Sequence, residues 1–242
     1  MSAAAVSCHV RLWRHPPAPP PEALLGILAR SELDRAHRFG VAAAKTTFLW
    51  RRLYLRVVAA RRLGTDPQSL SLGWRCHRCG ESDHGRPVLA HRGDVSLSTA
   101  SSGGLVAVAV AVGATVGVDI ESVRPGLSAA DLDAVLSPDE RSRLSVNAGS
   151  PGEAARQALV AFVRKEALLK LAGTGLSGDP RRLDVAGGPL ARGWRVISGG
   201  GCWTDVDLRP LDGHVGAVAL SRIPVALSVV LEPVGGDDGP RL

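Results

Sequence analysis

The chain has 242 residues, of which 45% are hydrophobic and 21% charged; this composition is typical of globular proteins and excludes intrinsic disorder. No apolar run approaches the ~20 residues of a membrane-spanning helix, and the first residues lack a signal-peptide pattern, so we expect a cytoplasmic protein with no membrane partner. The formal net charge of +6 favours an anionic partner. Because only 4% of the residues are aromatic and no nucleic-acid motif is present, we expect an anionic small molecule or an acidic protein, and no nucleic acid.

Up to residue 125, the apolar periodicity predicts one strand, two helices and then three more strands. Leu24, Leu25 and Leu28 follow helical spacing after Pro21, and Gly64 is a typical residue at the end of a long amphipathic helix. The predicted elements are a strand at 8–13, helices at 21–38 and 42–64, a loop at 64–87, and strands at 94–98, 104–111 and 116–122.

Beyond residue 125 the pattern begins again with helices and continues with strands. A Ser-Pro turn separates short helices, and a second long helix again ends at a glycine, Gly173. The predicted elements are short helices within 128–144, a long helix at 153–173, and strands at 181–185, 193–197, 202–208 and 213–220.

The two parts of the sequence are similar to each other. Residues 103–110, GGLVAVAV, resemble residues 212–220, DGHVGAVAL, and each part has one long helix ahead of strands. We therefore predict an α+β fold of two similar α/β halves, 1–112 and 113–242, related by a pseudo-twofold axis. Each half is predicted to pack one long helix on a small, mostly antiparallel sheet, and the seam between the halves is a natural place for a cleft.

Two of the four cysteines form a short motif. Cys76 and Cys79 lie in CHRCG, and His77, His84 and His91 are close in sequence. A structural zinc site generally has a second cysteine pair or two suitably spaced histidines, so this motif supplies half of a ligand set. Two readings remain open, a zinc site and two reduced cysteines in a turn.

Two acids interrupt the apolar segment VGVDIES. Residues two apart on a strand point to the same face, so Asp119 and Glu121 share one face and Ile120 lies on the other. Two neighbouring carboxylates repel each other and are costly to desolvate. We therefore expect a positive group beside them, either a Lys or Arg side chain or a metal ion.

A third carboxylate is predicted on the second long helix, in FVRKEALLK. Glu166 and Lys170 are four residues apart and share a helix face, with Lys165 beside that face. Together with Asp119 and Glu121, Glu166 completes a set of oxygen ligands that suits Mg²⁺, whose remaining ligands are commonly phosphate oxygens and water. The alternative is a Glu-Lys helix pair and two acids at a strand end.

The two segments together resemble the paired signature of the phosphopantetheinyl transferases. VGVDIESV at 116–123 is similar to the family pattern G-[IV]-D-[IV]-E, and FVRKEALLKLAGTGL at 162–176 is similar to W-x-x-K-E-[AS]-x-x-K with its following G-x-G-L. HGRPVL at 84–89 and LSPDE at 136–140 resemble two further segments of the family. The length resembles the larger, surfactin-synthetase-activating type, which implies a single-chain monomer of two similar halves.

The resemblance implies a role for each matching residue. Asp119, Glu121 and Glu166 would hold Mg²⁺ against the pyrophosphate of coenzyme A, and either Glu140 or Glu166 would be the base. The other implied contacts are Lys170 with phosphate, Lys165 with the leaving group, Ser98 and Thr99 with the pyrophosphate, and Arg86, Arg38 and Lys45 with the adenosine end. The N-terminal half would thus contact the adenosine end, and the C-terminal half would carry the metal and the catalytic residues.

The implied activity is a Mg²⁺-dependent transfer of phosphopantetheine from coenzyme A to a serine of an acyl or peptidyl carrier protein, as in polyketide or nonribosomal peptide biosynthesis. Adenosine 3′,5′-bisphosphate is released. The chain departs from the family pattern at Phe162, where a tryptophan is usual, and at Thr99, where a histidine is usual. Thr99 supports an alternative, a catalytically weakened relative that binds coenzyme A or carrier proteins.

Overall fold

The structure is a computed structural model that describes residues 6–76, 79–80, 84–175, 178–185, 190–191, 194–196, 202–205, 213–224 and 226–231. The α-helices are α1 (Glu22–Leu25), α2 (Arg30–His37), α3 (Ala42–Leu63), α4 (Pro138–Asn147) and α5 (Pro151–Ala172), and 3₁₀ turns lie at Ala129–Val135 and Pro180–Arg182. The strands are β1 (Ser7–Arg14), β2 (Leu72–Arg75), β3 (Arg86–Leu89), β4 (Val95–Ser102), β5 (Leu105–Val112), β6 (Val116–Ser122), β7 (Leu190–Ala191), β8 (Trp194–Val196), β9 (Cys202–Asp205), β10 (His214–Leu220) and β11 (Ala226–Leu231).

The first sheet has the strand order β11-β1-β5-β4 and carries α3 on one face. Strand β5 reads LVAVAVAV, so its valines and alanines point to opposite faces. Val106, Val108 and Val110 pack in the cluster that contains the buried residues of α3. Ala107 and Ala109 belong to a second cluster on the other face, where small side chains permit another layer to approach closely.

The second sheet has the strand order β6-β10-β9-β8-β7 and carries α5. Its strands β6 and β10 pair antiparallel, with Asp119 opposite Ala217. Val118 and Ile120 on β6 lie in the same cluster as Ala107 and Ala109 of the first sheet. The two sheets therefore pack face to face, and α3 and α5 cover the outer faces of a four-layer core.

A row of serines joins the two sheets at one edge. Ser96, Ser98 and Ser102 of β4 accept hydrogen bonds on their hydroxyl oxygens from the backbone N–H groups of Val116, Val118 and Ser122 of β6, at 3.0–3.1 Å. These N–H groups belong to the edge of β6 that faces away from β10. The serine hydroxyls thereby provide acceptors for the N–H groups at this edge of β6, which no strand of the described residues pairs with.

The structure confirms the α+β fold and the two long helices, and it changes several local predictions. The predicted helix at 21–38 is two short helices, the predicted strand at 181–185 begins as a 3₁₀ turn, and the predicted loop at 64–87 contributes to the antiparallel hairpin β2–β3. Strand β11 lies in the predicted half 113–242 but pairs with β1 of the other sheet. The pseudo-twofold relation and the division into halves stay predictions.

None of the helices in the described ranges has the length and hydropathy that crossing a membrane requires.

Candidate active site

A cleft of about 450 Å³ lies between the elements of the first sheet's side of the molecule and the C-terminal end of α5. Its walls come from α2, α3, the hairpin β2–β3, strand β4 and the C-terminal end of α5. Glu166, Lys170 and Thr99 line one part of it, and Arg52 and Trp74 line another. The volume is in the range of small-molecule sites, and the lining groups carry both signs of charge.

Asp119 and Glu166 are brought together because strand β6 packs closely against helix α5. A Cβ atom at Gly117 would lie 2.0 Å from the carbonyl oxygen of Ala167 and 2.6 Å from the nitrogen of Leu171. Only glycine therefore permits this approach, which brings the Asp119 face of β6 to the Glu166 face of α5. Asp119 and Glu166 are 5% and 8% exposed, and Ile120 packs in the core on the opposite face.

Lys170 is the positive group beside the acids. Its Nζ atom donates to Asp119 Oδ1 at 2.6 Å, to the carbonyl oxygen of Val118 at 3.0 Å and to that of Thr99 at 3.4 Å. Lys170 thus pairs with an acid on the strand rather than with Glu166 on its own helix. The lysine anchors the end of α5 to β6 and β4 at the floor of the cleft.

The negative charge of this cluster is only partly compensated. Burial, followed by the charge of Glu121, raises the pKa of Asp119 in spite of the opposing effect of Lys170. The pKa of Glu166 is also raised, by burial and then by the charges of Asp119 and Glu121. Asp119 Oδ2 is buried without a hydrogen-bond partner. A hard cation would satisfy this oxygen and stabilise the ionised acids, so the donor set fits Mg²⁺.

Glu121 and Ser102 complete the cluster at its more exposed side. Ser102 donates from its hydroxyl to Glu121 Oε2 at 2.7 Å, and it also accepts from the N–H of Ser122. The sequence interpretation missed Ser102, although the alternation of serines in SLSTASS indicates that Ser96, Ser98 and Ser102 share one strand face. The described residues contain one close group of three possible metal ligands, which consists of Cys76, Cys79 and His84. The ligand atoms of the three carboxylates lie farther apart than the ligand atoms of this group.

Ser98 and Thr99, predicted to contact the pyrophosphate, both line the cleft. Ser98 is 5% exposed, and its hydroxyl oxygen is already engaged by the N–H of Val118. Thr99 directs its carbonyl oxygen to Lys170. Ser98 therefore has a clear structural role in joining the sheets, and Thr99 helps to position Lys170 through its backbone.

Arg86 also lines the cleft and binds the end of helix α5. Its Nη2 atom donates to the carbonyl oxygens of Lys170 and Leu171, the latter at 2.6 Å. These carbonyls lie in the last turn of α5, where the helix dipole favours a positive charge. Burial lowers the pKa of Arg86. This arginine holds the hairpin β2–β3 against the helix that carries Glu166 and Lys170.

The remaining basic residues of the cleft differ from those predicted. Arg38 is exposed, and neither Arg38 nor Lys45 is among the residues that line the cleft; the side chains that do so are those of Arg35, Arg51 and Arg52. On α3 the residues that line the cleft begin at Phe48, beyond Lys45, so the contacts of Arg38 and Lys45 with the adenosine end stay a prediction. The arginines inside the apolar stretch FLWRRLYLR are the sequence signal that indicates Arg51 and Arg52.

Arg52 is the most unusual of these arginines. It is 5% exposed, and its guanidinium carbon lies 3.0 Å from the ring centre of Trp74 and 4.8 Å from that of Phe48. Its Nε and Nη1 atoms are buried without a hydrogen-bond acceptor. Burial and the charge of Arg51 lower its pKa to about 9. Two unsatisfied donors on a buried cation indicate a place for an anion.

The structure does not bring Lys165 and Glu140 to this cleft. Lys165 is 0% and Glu140 2% exposed, and their Nζ and Oε2 atoms are 2.5 Å apart. Lys165 also donates to the carbonyl oxygen of Val135 at 2.8 Å, and Glu140 accepts from the N–H groups of Ser137 and Val185. This buried pair ties α4 to α5, and its groups are already satisfied. The predicted catalytic roles of both residues stay predictions, and in this structure the pair has a structural role.

Comparison with known families adds an independent observation. A family model described as the 4'-phosphopantetheinyl transferase superfamily matches residues 115–219. The match supports this superfamily. The matched segment contains β6 and α5, and therefore Asp119, Glu121, Glu166 and Lys170. It implies transferase activity, and members of the superfamily act in general on coenzyme A and carrier proteins. No curated protein matches the chain.

Proposed function

We propose that the chain is a Mg²⁺-dependent 4′-phosphopantetheinyl transferase of the larger, single-chain type. It transfers phosphopantetheine from coenzyme A to a serine of an acyl or peptidyl carrier protein and releases adenosine 3′,5′-bisphosphate. The observation that carries the proposal is a single cleft lined by Glu166, by Lys170 with its partner Asp119 behind it, and by the unsatisfied guanidinium of Arg52. The part of the cleft at Glu166 and Lys170 suits a metal-bound pyrophosphate. The part at Arg52 suits a further phosphate group of the same ligand.

Asp119, Glu121 and Glu166 are the residues that would hold Mg²⁺. The ion would neutralise charge on the pyrophosphate oxygens as the bond to the leaving group breaks. Lys170 keeps Asp119 in position through its 2.6 Å ion pair and adds positive charge beside the phosphates. Arg86 fixes the end of the helix that bears Lys170, so it supports the site whether or not it also contacts substrate.

The carrier-protein serine attacks the phosphorus that bears the pantetheine arm. The new Ser O–P bond forms as the P–O bond to the adenosine phosphate breaks, and the hydroxyl proton must leave the serine oxygen. Glu166 lines the cleft and carries a carboxylate that can accept this proton. Because Glu140 is sealed in its pair with Lys165, we propose Glu166 as the base, directly or through a water molecule.

Arg52, together with Arg35 and Arg51, would receive the phosphate on the ribose of coenzyme A. A guanidinium that is desolvated and lacks acceptors forms strong charge-assisted hydrogen bonds when a phosphate arrives. The formal net charge of +6 also suits an acidic carrier protein, because complementary charge accelerates the encounter. The chain would act in the cytoplasm as a monomer.

A panel of apo carrier proteins tests the proposal. The protein is dialysed free of Mg²⁺ and incubated with coenzyme A and each carrier protein, with and without added Mg²⁺. The masses of the carrier proteins are then measured by mass spectrometry. We expect one phosphopantetheine added at the carrier serine, only with Mg²⁺, and loss of the product in Glu166→Gln. The matched control is Glu153→Gln, an exposed glutamate on the same helix that lies outside the cleft.

The weakened relative is the second candidate, because Thr99 lines the cleft where the family pattern has a histidine. It predicts that coenzyme A binds while no carrier in the panel gains mass. That outcome would contradict the transferase proposal. Retention of Asp119, Glu166 and Lys170 in one cluster favours the active enzyme, because Glu166 is also the proposed base.

A further inference from the structure

The loop of the hairpin β2–β3 brings together three side chains that the proposed reaction does not use. Cys76 directly follows β2, Cys79 lies in the loop, and His84 precedes β3 by two residues. The two Sγ atoms and one ring nitrogen of His84 all lie within 4.8 Å of one another. Cys79 Sγ and His84 Nε2 are 3.4 Å apart. The set is distinct from the carboxylate cluster on β6 and α5.

We propose that Cys76, Cys79 and His84 bind a Zn²⁺ ion. Thiolate sulfur and imidazole nitrogen are the donors that zinc prefers, and the bond lengths of about 2.3 Å and 2.0 Å place neighbouring S and N ligands about 3.6 Å apart in a tetrahedron. The 3.4 Å separation of Cys79 and His84 agrees with that edge. The described residues supply three ligands, and a tetrahedral ion takes one further donor.

The backbone of the loop is shaped to make this cluster. Gly80 has a φ of 74° and donates its N–H to the carbonyl oxygen of Cys76 at 3.0 Å, which holds Cys79 and Gly80 beside Cys76. Gly85 has a φ of 94°, and a Cβ atom there would lie 2.3 Å from the carbonyl oxygen of Arg75. This close approach returns His84 to the cysteine turn. The glycines therefore close the loop around the three ligand atoms.

The other two cysteines provide a contrast within the same chain. Cys8 and Cys202 are buried in the core between the sheets. Burial raises the pKa of Cys8 to about 12 and that of Cys202 to about 11, so both stay protonated and do not act as ligands. Cys76 is partly exposed and Cys79 is exposed, so an ion in solution can reach them.

The position of the cluster explains what the ion would do. A two-stranded hairpin is only marginally stable by itself, yet β2 and β3 carry Trp74 and Arg86, which line the cleft. Cys76 and His84 line the same cleft. Zinc would fix the loop end of the hairpin and thereby hold Trp74 against Arg52, and Arg86 against α5. This role in coenzyme A binding rests on the proposed function, whereas zinc binding itself does not.

Metal analysis of the reduced protein tests the site without any activity measurement. Protein is purified in buffer without chelators, and zinc is measured by mass spectrometry; about one ion per chain is expected for a single closed site. The variants Cys76→Ser, Cys79→Ser and His84→Ala should lose the zinc. Cys8→Ala and Cys202→Ala are matched controls that should keep it, and Asp119→Asn should keep it because the acids form a separate cluster.

Cobalt titration of the wild-type protein identifies the type of ligand atom. It also tests the site if one of the ligand variants fails to fold. Zinc is removed from the wild-type protein by a chelator at reduced pH, and Co²⁺ is then added to the reduced protein at neutral pH. We expect thiolate-to-cobalt absorption that zinc abolishes when added afterwards, with folding followed by circular dichroism. Wild-type protein whose four cysteines are all reduced, that gives no such absorption and holds no zinc, would overturn the site. That result would leave the transferase proposal intact, because the carrier-protein assay does not depend on it.

Discussion

Arg52 has opposite consequences for binding and for folding. Its charge is buried, its pKa is lowered to about 9, and two of its donors lack acceptors. A basic group whose pKa is lowered in the folded state costs stability as the pH falls from its ordinary pKa to the lowered one, because the folded protein binds the proton less tightly than the unfolded chain. At neutral pH the full cost is therefore present. A phosphate in the cleft would offset it by accepting the free donors.

Arg52→Met removes the charge and keeps the length of the side chain. We expect weaker binding of coenzyme A by about 10-fold to 100-fold, as for the loss of one or two charge-assisted hydrogen bonds. The same variant should melt at a higher temperature without ligand, because the buried charge is gone. Calorimetric titration measures the affinity, and differential scanning calorimetry measures the melting temperature.

Arg38→Met is the matched control for Arg52→Met. Arg38 is exposed and lies outside the cleft lining, so its replacement should change the affinity for coenzyme A by less than the replacement of Arg52. Equal losses in the two variants would show that the effect follows net charge instead of the cleft geometry, and would contradict the assignment of Arg52.

Glu166 gives the protein a pH dependence that Mg²⁺ should cancel. Its pKa is raised in the folded state by burial and by Asp119, so the folded protein binds this proton more tightly than the unfolded chain. Stability therefore falls as the pH rises from the ordinary pKa of a glutamate through the raised one. Protein dialysed free of Mg²⁺ should melt at a lower temperature at about pH 8 than at about pH 5, less steeply so in Glu166→Gln.

Addition of Mg²⁺ at the higher pH should raise the melting temperature of the wild type more than that of Glu166→Gln. Glu153→Gln serves as the control, because Glu153 is an exposed residue in the first turn of the same helix. A Mg²⁺ response that is the same in all three proteins would mean that the ion does not bind at Glu166.

The contact between β6 and α5 is the structural element that forms the acid cluster. Gly117 lets the backbone of the strand touch that of the helix, and Lys170 then reaches across to Asp119. The serines of β4 fix the other edge of β6 through its N–H groups. Strand β6 is therefore held from two directions, and the position of its carboxylates depends on both.

Gly117→Ala should separate the strand from the helix. The new methyl group would lie 2.0 Å from the carbonyl oxygen of Ala167, so the backbone must move, and overpacking of this kind costs about 3 kcal/mol of unfolding free energy. Transferase activity should fall by more than the unfolded fraction explains, because Asp119 and Glu166 move apart. Chemical denaturation and the carrier-protein assay measure the two effects.

Gly152→Ala, on the helix α5 that Gly117 contacts, is the control for Gly117→Ala. No atom lies within 4 Å of a Cβ built at Gly152, and alanine is about 1 kcal/mol more favourable than glycine in a helix, so this variant should be as stable as the wild type or more so. If Gly117→Ala were equally harmless, the close approach of strand and helix would not be required for the site.

At the scale of the whole molecule, the sheets share one core. Ile120, Val118 and Val218 from the second sheet pack with Val10 and Ala109 from the first. Strand β11, near the C-terminal end, pairs with β1 and adds a second connection between the predicted halves. A core that both sheets share couples the folding of the two sheets.

The protein should therefore unfold in one cooperative transition. Ile120 is completely buried between the sheets, and Ile120→Ala should lower the free energy of unfolding by about 2–5 kcal/mol while the transition stays single. Val146→Ala is the control, since Val146 is 79% exposed. Two separate calorimetric transitions, of which Ile120→Ala shifts only one, would show that the halves fold independently.

The sequence determined the features that depend on spacing along one element. Strand periodicity placed Asp119 and Glu121 on one face with Ile120 opposite, and helix periodicity placed Glu166 and Lys170 on one face of α5; both placements hold in the structure. The ends of the long helices at Gly64 and Gly173 were also predictable, because both glycines adopt the left-handed conformation that terminates a helix.

Only the tertiary structure decided which groups meet. Lys170 pairs with Asp119, whereas its neighbour in the motif, Lys165, points to Glu140 in a separate buried pair. The cleft is lined by Arg35 of α2 and by Arg51 and Arg52 of α3, whereas Arg38 and Lys45 lie outside the lining. Periodicity specifies a face but not what packs against it, since that depends on contacts between residues far apart in the chain.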